Sequence, residues 1–166
     1  MTARSDEVKA WLQNAVNGMR SARILLEHDP PVMETACFHC QQGVEKALTA
    51  FLVWKAIPFE KVHSLSYLLD LCERQDPGYG SIREKTETLA PYAVEVRYPG
   101  EIMEVSRAEA EAALATAEAV WQFVLNLLPS DQPGDRLRRP PPLGGHAYVY
   151  IRLQRSGVVL CPRPGS

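Results

Sequence analysis

No apolar run in this 166-residue sequence approaches the roughly 20 residues that a membrane-spanning helix needs. Met1 to Asp6 leads straight into an amphipathic pattern without a signal-peptide core, so the expectation is a soluble cytoplasmic protein. Cysteine is scarce. Of the four present, Cys37, Cys40 and Cys72 sit inside apolar helical patterns and Cys161 lies near the end, which suits buried thiols in a reducing compartment better than a disulfide framework. The Cys37 to Cys40 spacing has no second ligand pair at zinc spacing and no strand before it, so neither a metal nor a redox site is expected, and no cofactor. Strand-type alternation is missing before residue 146, which removes a sheet from the main body of the chain.

Charge is short of one sign in one region. Residues 130–166 carry six Arg and two Asp, a net +4, leaving 12 basic and 18 acidic residues in 1–129, a net −6. An acidic main domain lacks the counterion-releasing surface that general nucleic-acid coating requires, although a local basic pocket is compatible with it.

What is present is helical periodicity at 46% hydrophobic content, enough for one domain with a real core. Val8, Trp11, Leu12, Ala15, Met19, Ala22 and Leu26 keep a 3.6-residue beat over a first helix from about Asp6 to Glu27, stopped by Asp29-Pro30-Pro31. A second helix runs from about Val32 to Lys55, and a third from about Ser64 to Arg74 closes at Asp76-Pro77-Gly78. A fourth is expected from about Ile82 to Val94, with Pro91 kinking or shortening it, and Arg97-Tyr98-Pro99-Gly100 reads as a turn. Ser106-Arg107-Ala108-Glu109 is a capping box that opens a last helix, which Pro129 ends. These elements predict an all-α fold, an up-and-down antiparallel bundle of about five helices over 1–129. The tail, 130–166, is rich in Pro, Gly and Arg and is expected to be flexible, either disordered or a loosely docked hairpin around Ala147 to Leu160.

On the second helix, Cys37, Cys40, Val44, Ala47, Leu48 and Phe51 share one arc, and His39, Gln42 and Lys46 lie opposite. Gln41 and Glu45 fall between, one turn apart. Two readings stand open for them: hydrogen bonding to a neighbouring helix or partner chain, or a solvated edge. On the last helix Ala108, Ala112, Ala115 and Ala119 form a small-residue line behind the apolar stripe. Alanine's helix propensity explains such a line on its own, and close approach of a second copy across a two-fold axis is the other reading.

The segment Phe38-His39-Cys40-Gln41-Gln42-Gly43-Val44-Glu45-Lys46-Ala47-Leu48, the following His63-Ser64-Leu65 and the turn Arg97-Tyr98-Pro99-Gly100 together resemble the HEPN domain, over about Asp6 to Leu128. That module is named for its occurrence in higher eukaryotes and prokaryotes and for a suspected nucleotide-binding role. The resemblance implies a helical bundle that commonly dimerises and often occurs beside a minimal nucleotidyltransferase, in the setting of toxin–antitoxin pairs. It further implies that Gln41, Glu45, Lys46, Arg97 and Tyr98 are candidates for binding a nucleotide, RNA or a partner, with Ala108, Ala112, Ala115 and Ala119 as candidates for the dimer interface.

Many members of that family are also metal-independent ribonucleases using an arginine followed, after four to six residues, by a histidine. Here the expected position is Arg97, and residues 98–106 contain no histidine; Glu101 and Glu104 stand there instead. Carboxylates repel a phosphate, so no catalytic residue is assigned. Arg23 with His28 and Arg139 with His146 match the bare spacing, but the first pair diverges by roughly 140° on a helix and the second straddles a proline run. His39 is expected to face outward and His63 to fix the start of the third helix. The reading is therefore a homodimeric binding module associated with a nucleotidyltransferase or a nucleotide. A ribonuclease toxin with a degenerate motif and a pure dimerisation scaffold are the alternatives.

Overall fold

The computed structural model describes residues 3–93 and 104–129. Five helices follow one another: α1 (Ala3–Glu27), α2 (Met33–Lys55), α3 (Leu65–Gln75), α4 (Gly80–Glu87) and α5 (Arg107–Leu127). Single 3-10 turns, Pro77–Tyr79 and Ala90–Tyr92, stand on either side of α4. Among the described residues there is no strand, and the predicted all-helical bundle is the fold observed. No helix among them is long and apolar enough to cross a membrane.

The periodic stripe of α1 does what its spacing predicts: Val8, Leu12, Ala15, Met19, Ala22 and Leu26 are buried. Trp11, at the margin of that stripe, is only half-buried. The stripe packs on α2 at a very short distance. A Cβ placed on Gly18 would lie 3.0 Å from the His39 carbonyl oxygen and 3.3 Å from the Gly43 Cα, and one on Gly43 would lie 3.2 Å from the Ala15 carbonyl oxygen. The two glycines therefore let the backbones touch.

α5 runs antiparallel to α1. The Arg23 guanidinium pairs with the Glu118 carboxylate, and Arg107 Nη2 donates to the Leu26 carbonyl at 3.4 Å, placing the start of α5 against the end of α1. The capping box forms as the sequence predicts, with Glu109 N–H donating to Ser106 Oγ at 3.2 Å and Ser106 N–H donating to Glu109 Oε2 at 2.8 Å. The bonds from Ser106 hold the Glu109 carboxyl below the usual carboxylate range.

The fourth helix differs from expectation. It starts two residues earlier, at Gly80, and ends at Glu87; Ala90–Tyr92 is a separate 3-10 turn. Pro91 has no N–H to continue an α-helical ladder and its ring crowds the preceding turn, so the chain tightens there instead of extending to Val94, which lies outside the described residues. What holds so short a helix is charge: Arg83 reaches Asp70 and Glu73 of α3 at 2.7 Å each and Glu87 one turn on at 2.9 Å. Leu89 and the Thr86 side chain are buried beneath it.

Behind α4, Tyr79 is fully buried between Phe51 and Phe123, with ring centroids 4.9 and 5.0 Å away. Its hydroxyl faces the Cys72 thiol and has no conventional hydrogen-bond partner. The thiols of Cys37, Cys40 and Cys72 are all buried, as their apolar setting implied. Burial pushes Cys37 up to about 11 and Cys40 and Cys72 to about 12, so none ionises near neutral pH. Cys161 lies outside the described residues.

The Gly18–Gly43 contact gives a direct test. Replacing Gly18 by alanine gains about 1 kcal/mol of helix propensity but drives a methyl into a backbone carbonyl that cannot rotate away, and overpacking of this kind costs about 1–3 kcal/mol. Gly18→Ala is expected to lower stability by about 1 kcal/mol in urea unfolding, the net of these two effects. A variant as stable as the parent would show that the crossing has slack.

Candidate functional site

The signature on α2 meets the start of α3, and that junction carries the densest polar cluster in the described bundle. Glu45 is 5% exposed and Gln41 is completely buried. Of the two open readings the bonded one holds: α1 and α5 flank α2, and the segment leading into α3 lies across the remaining border, so these two positions are covered rather than wet. A buried carboxylate requires partners, and Glu45 has several. Oε1 accepts from Lys46 Nζ at 2.6 Å, Oε2 stands 3.0 Å from His63 Nδ1, and Gln42 Nε2 reaches Oε2 at 3.4 Å. Gln41 adds two further bonds, donating from Nε2 to the His63 carbonyl at 3.5 Å and accepting from Gln42 at 2.7 Å.

His63 thus fixes the start of α3, as its position implied. The Ser64 side chain beside it caps the helix by accepting from Tyr67 N–H at 3.3 Å. With a carboxylate at Nδ1, that nitrogen carries the hydrogen in the neutral ring, leaving Nε2 as the acceptor. The ring is 69% exposed, whereas the Lys46 side chain is 23% exposed and its ammonium lies 5.7 Å from the Trp11 ring centroid. Chemically, the cluster is a sunken carboxylate fixing an amine and an imidazole at the surface. Such an arrangement can receive an anion or a hydrogen-bonding partner at the outer faces of Lys46 and His63.

Arg97, Tyr98, Pro99, Gly100 and Glu101 lie outside the described residues, as does the whole of 130–166 with Arg139 and His146. Glu104 is exposed. The other spacing match, Arg23 with His28, forms no joint site: Arg23 is committed to Glu118, and His28, just past the end of α1, has its Nδ1 2.8 Å from the Pro30 carbonyl oxygen. His39 is half-buried rather than fully outward, its ring edge-on to Phe38 at 5.5 Å. Ala108, Ala112, Ala115 and Ala119 are all exposed along one side of α5, while Ala110, Ala113 and Ala117 are buried on the other.

Sequence reasoning missed Gln42 and Trp11 as members of the cluster. Gln42 carried a signal, since it stands three residues before Glu45 and so within reach on the same helix. Trp11 carried none, because its meeting with Lys46 depends on the register between two helices.

The HEPN domain family model matches residues 8–127, and the chain belongs to that family. Two solved structures agree. A crystal structure of ST0689, an archaeal HEPN homologue, superimposes with a TM-score of 0.58 at 25% identity, covering 72% of this chain and 96% of its own. The crystal structure of TT1696 from Thermus thermophilus superimposes with a TM-score of 0.60 at 28% identity, covering 73% and 98%. A search of curated proteins gave no match.

The Glu45 carboxylate and its imidazole partner are unequal in consequence. Glu45→Ala leaves a buried gap and strips Lys46 and His63 of their anion, at a cost of about 2–3 kcal/mol. His63→Ala removes a mostly exposed ring and costs less than about 1 kcal/mol. Urea midpoints of the two variants should differ in that order; equal losses would mean that the carboxylate does not organise the junction.

Proposed function

We propose that this chain is a HEPN binding module that forms a homodimer, associates with a minimal nucleotidyltransferase and takes a nucleotide at the α2–α3 junction. The observation that carries the reading is the Glu45 carboxylate holding Lys46 and His63 side by side. On a bundle with a net charge of −6 over 1–129, this is a spot where fixed donors stand together at the surface. Lys46 supplies a cation for phosphate, His63 a ring edge, and Gln42 an amide able to read a base. Arg97 and Tyr98 are the remaining proposed contributors, one to hold phosphate and the other to stack on a base.

The holding of these side chains before any ligand arrives favours binding, since little rotamer freedom is left to lose. Dimerisation is proposed through Ala108, Ala112, Ala115 and Ala119, whose small side chains would let the α5 helices of two copies approach closely.

Calorimetric titration with ATP tests the nucleotide role. The parent should release measurable heat, with Lys46→Ala and Arg97→Ala each weakening affinity about tenfold or more, as expected for loss of a charged hydrogen bond. No heat from the parent removes the nucleotide. The dimer is tested separately: Ala112→Arg and Ala115→Arg change exposed positions, so the fold should survive while light scattering reports a monomer mass. An unchanged dimer mass removes this surface of α5.

A further inference from the structure

At the end of the bundle opposite the α1–α2 turn lies an open groove of about 380 Å³. Its walls include Arg4 and Glu7 from the first turns of α1, Val53 near the end of α2, and Ile57, Pro58 and Phe59 from the segment that follows. That segment is held in place rather than draped. Ala56 takes the left-handed conformation at φ 57°, which lets Ile57 N–H donate to the Leu52 carbonyl at 2.9 Å, and Glu60 N–H donates to the Tyr67 hydroxyl at 3.0 Å. No described side chain fills the groove between these walls.

The same end of the bundle is where α5 delivers the rest of the chain. Phe123 stacks on Tyr79, and Tyr79 stacks on Phe51, two residues before Val53. Beyond Pro129 come 37 further residues, 130–166. The first twenty alone could span about 60 Å, so reach imposes no limit. A tether of this kind also keeps its segments at an effective concentration on the order of millimolar, so that even a weak contact would be populated. The tail contains the run Tyr148-Val149-Tyr150-Ile151, which needs a surface to be buried on, and it carries net +4 against the net −6 of 1–129. Arg4 stands on the rim beside Glu7, so the electrostatic attraction belongs to the two parts of the chain as wholes. At the groove itself Ile57, Pro58 and Phe59 supply apolar wall, beside the polar wall of Arg4 and Glu7.

We infer that this groove is the docking site for the tail of the same chain, with Tyr148 to Ile151 lying over Val53, Ile57 and Phe59. The bundle, 1–129, thereby acquires a tethered segment that covers the groove. The division of the chain into a bundle and a separately attached tail is part of this proposal.

The full-length protein tests it. A nitroxide label placed at the tail through Ser156→Cys, with Cys161→Ser, leaves the buried Cys37, Cys40 and Cys72 untouched. Amide signals of Glu7, Ile57 and Phe59 should lose most of their intensity to the label and regain it when Val149→Asp and Ile151→Asp are added. Broadening that is absent, spread evenly over the bundle or centred on another face overturns the proposal. So does broadening of the groove in an isotope-labelled, spin-free chain mixed with a spin-labelled one, because the occupant would then be the tail of a second copy.

Discussion

Two glycines facing each other where α1 crosses α2 set the spacing on which the rest of the bundle is built. An interior helical glycine costs about 1 kcal/mol relative to alanine, and here Gly18 and Gly43 each bear that cost so that two backbones can come within van der Waals contact. The residues around the crossing are sized to match. Ala15, Ala22, Ala36, Ala47 and Ala50 are all essentially inaccessible, and Met19 and Val44 close the space that such small side chains leave. Elsewhere the core turns to Phe51, Trp121 and Leu125.

The closeness of α1 also explains the polar cluster. With α1, α5 and α3 all packed against it, α2 has little free border left, and Gln41 and Glu45 are enclosed along with the apolar arc. An ionisable side chain in that position would be costly alone, which is why Lys46, His63 and Gln42 gather on it. Gly43 faces α1 within the same two helical turns from which Gln41 and Glu45 face the start of α3. The segment that identifies the family therefore does two structural jobs at once: it sets the helix spacing and it ties α3 to α2.

Much of this was legible in the sequence because it is written in local chemistry. Helix ends follow from punctuation that acts within a turn: the Ser106 to Glu109 box, the prolines after α1 and α5, and Asp76-Pro77-Gly78 after α3. The core stripe of α1 followed from period alone, with Trp11 displaced to the margin. Single-helix periodicity cannot say how many neighbours a helix has, so it left Gln41 and Glu45 undecided between a wet edge and a bonded one. Nor could it bring Trp11 to Lys46 or Arg23 to Glu118, pairs set by the register of separate helices. The shortening of α4 lay between: Pro91 announced it, but the ion cluster of Arg83 that stabilises so short a helix joins residues on two elements.

Among the described residues, many of the groups able to do chemistry are spoken for. Three thiols are buried and shifted far from ionisation at neutral pH, Arg23 and Arg83 are locked to carboxylates, and His28 sits against a backbone carbonyl. Glu45 is likewise occupied, bonded to Lys46 and His63. A carboxylate bonded to an amine and an imidazole spends its charge on fixing them in place. What such a carboxylate does well is hold donors in a set geometry, so that a ligand or partner arriving at Lys46 and His63 meets side chains whose freedom is already restricted. Binding strength at such a place depends on how well an arriving group matches that geometry.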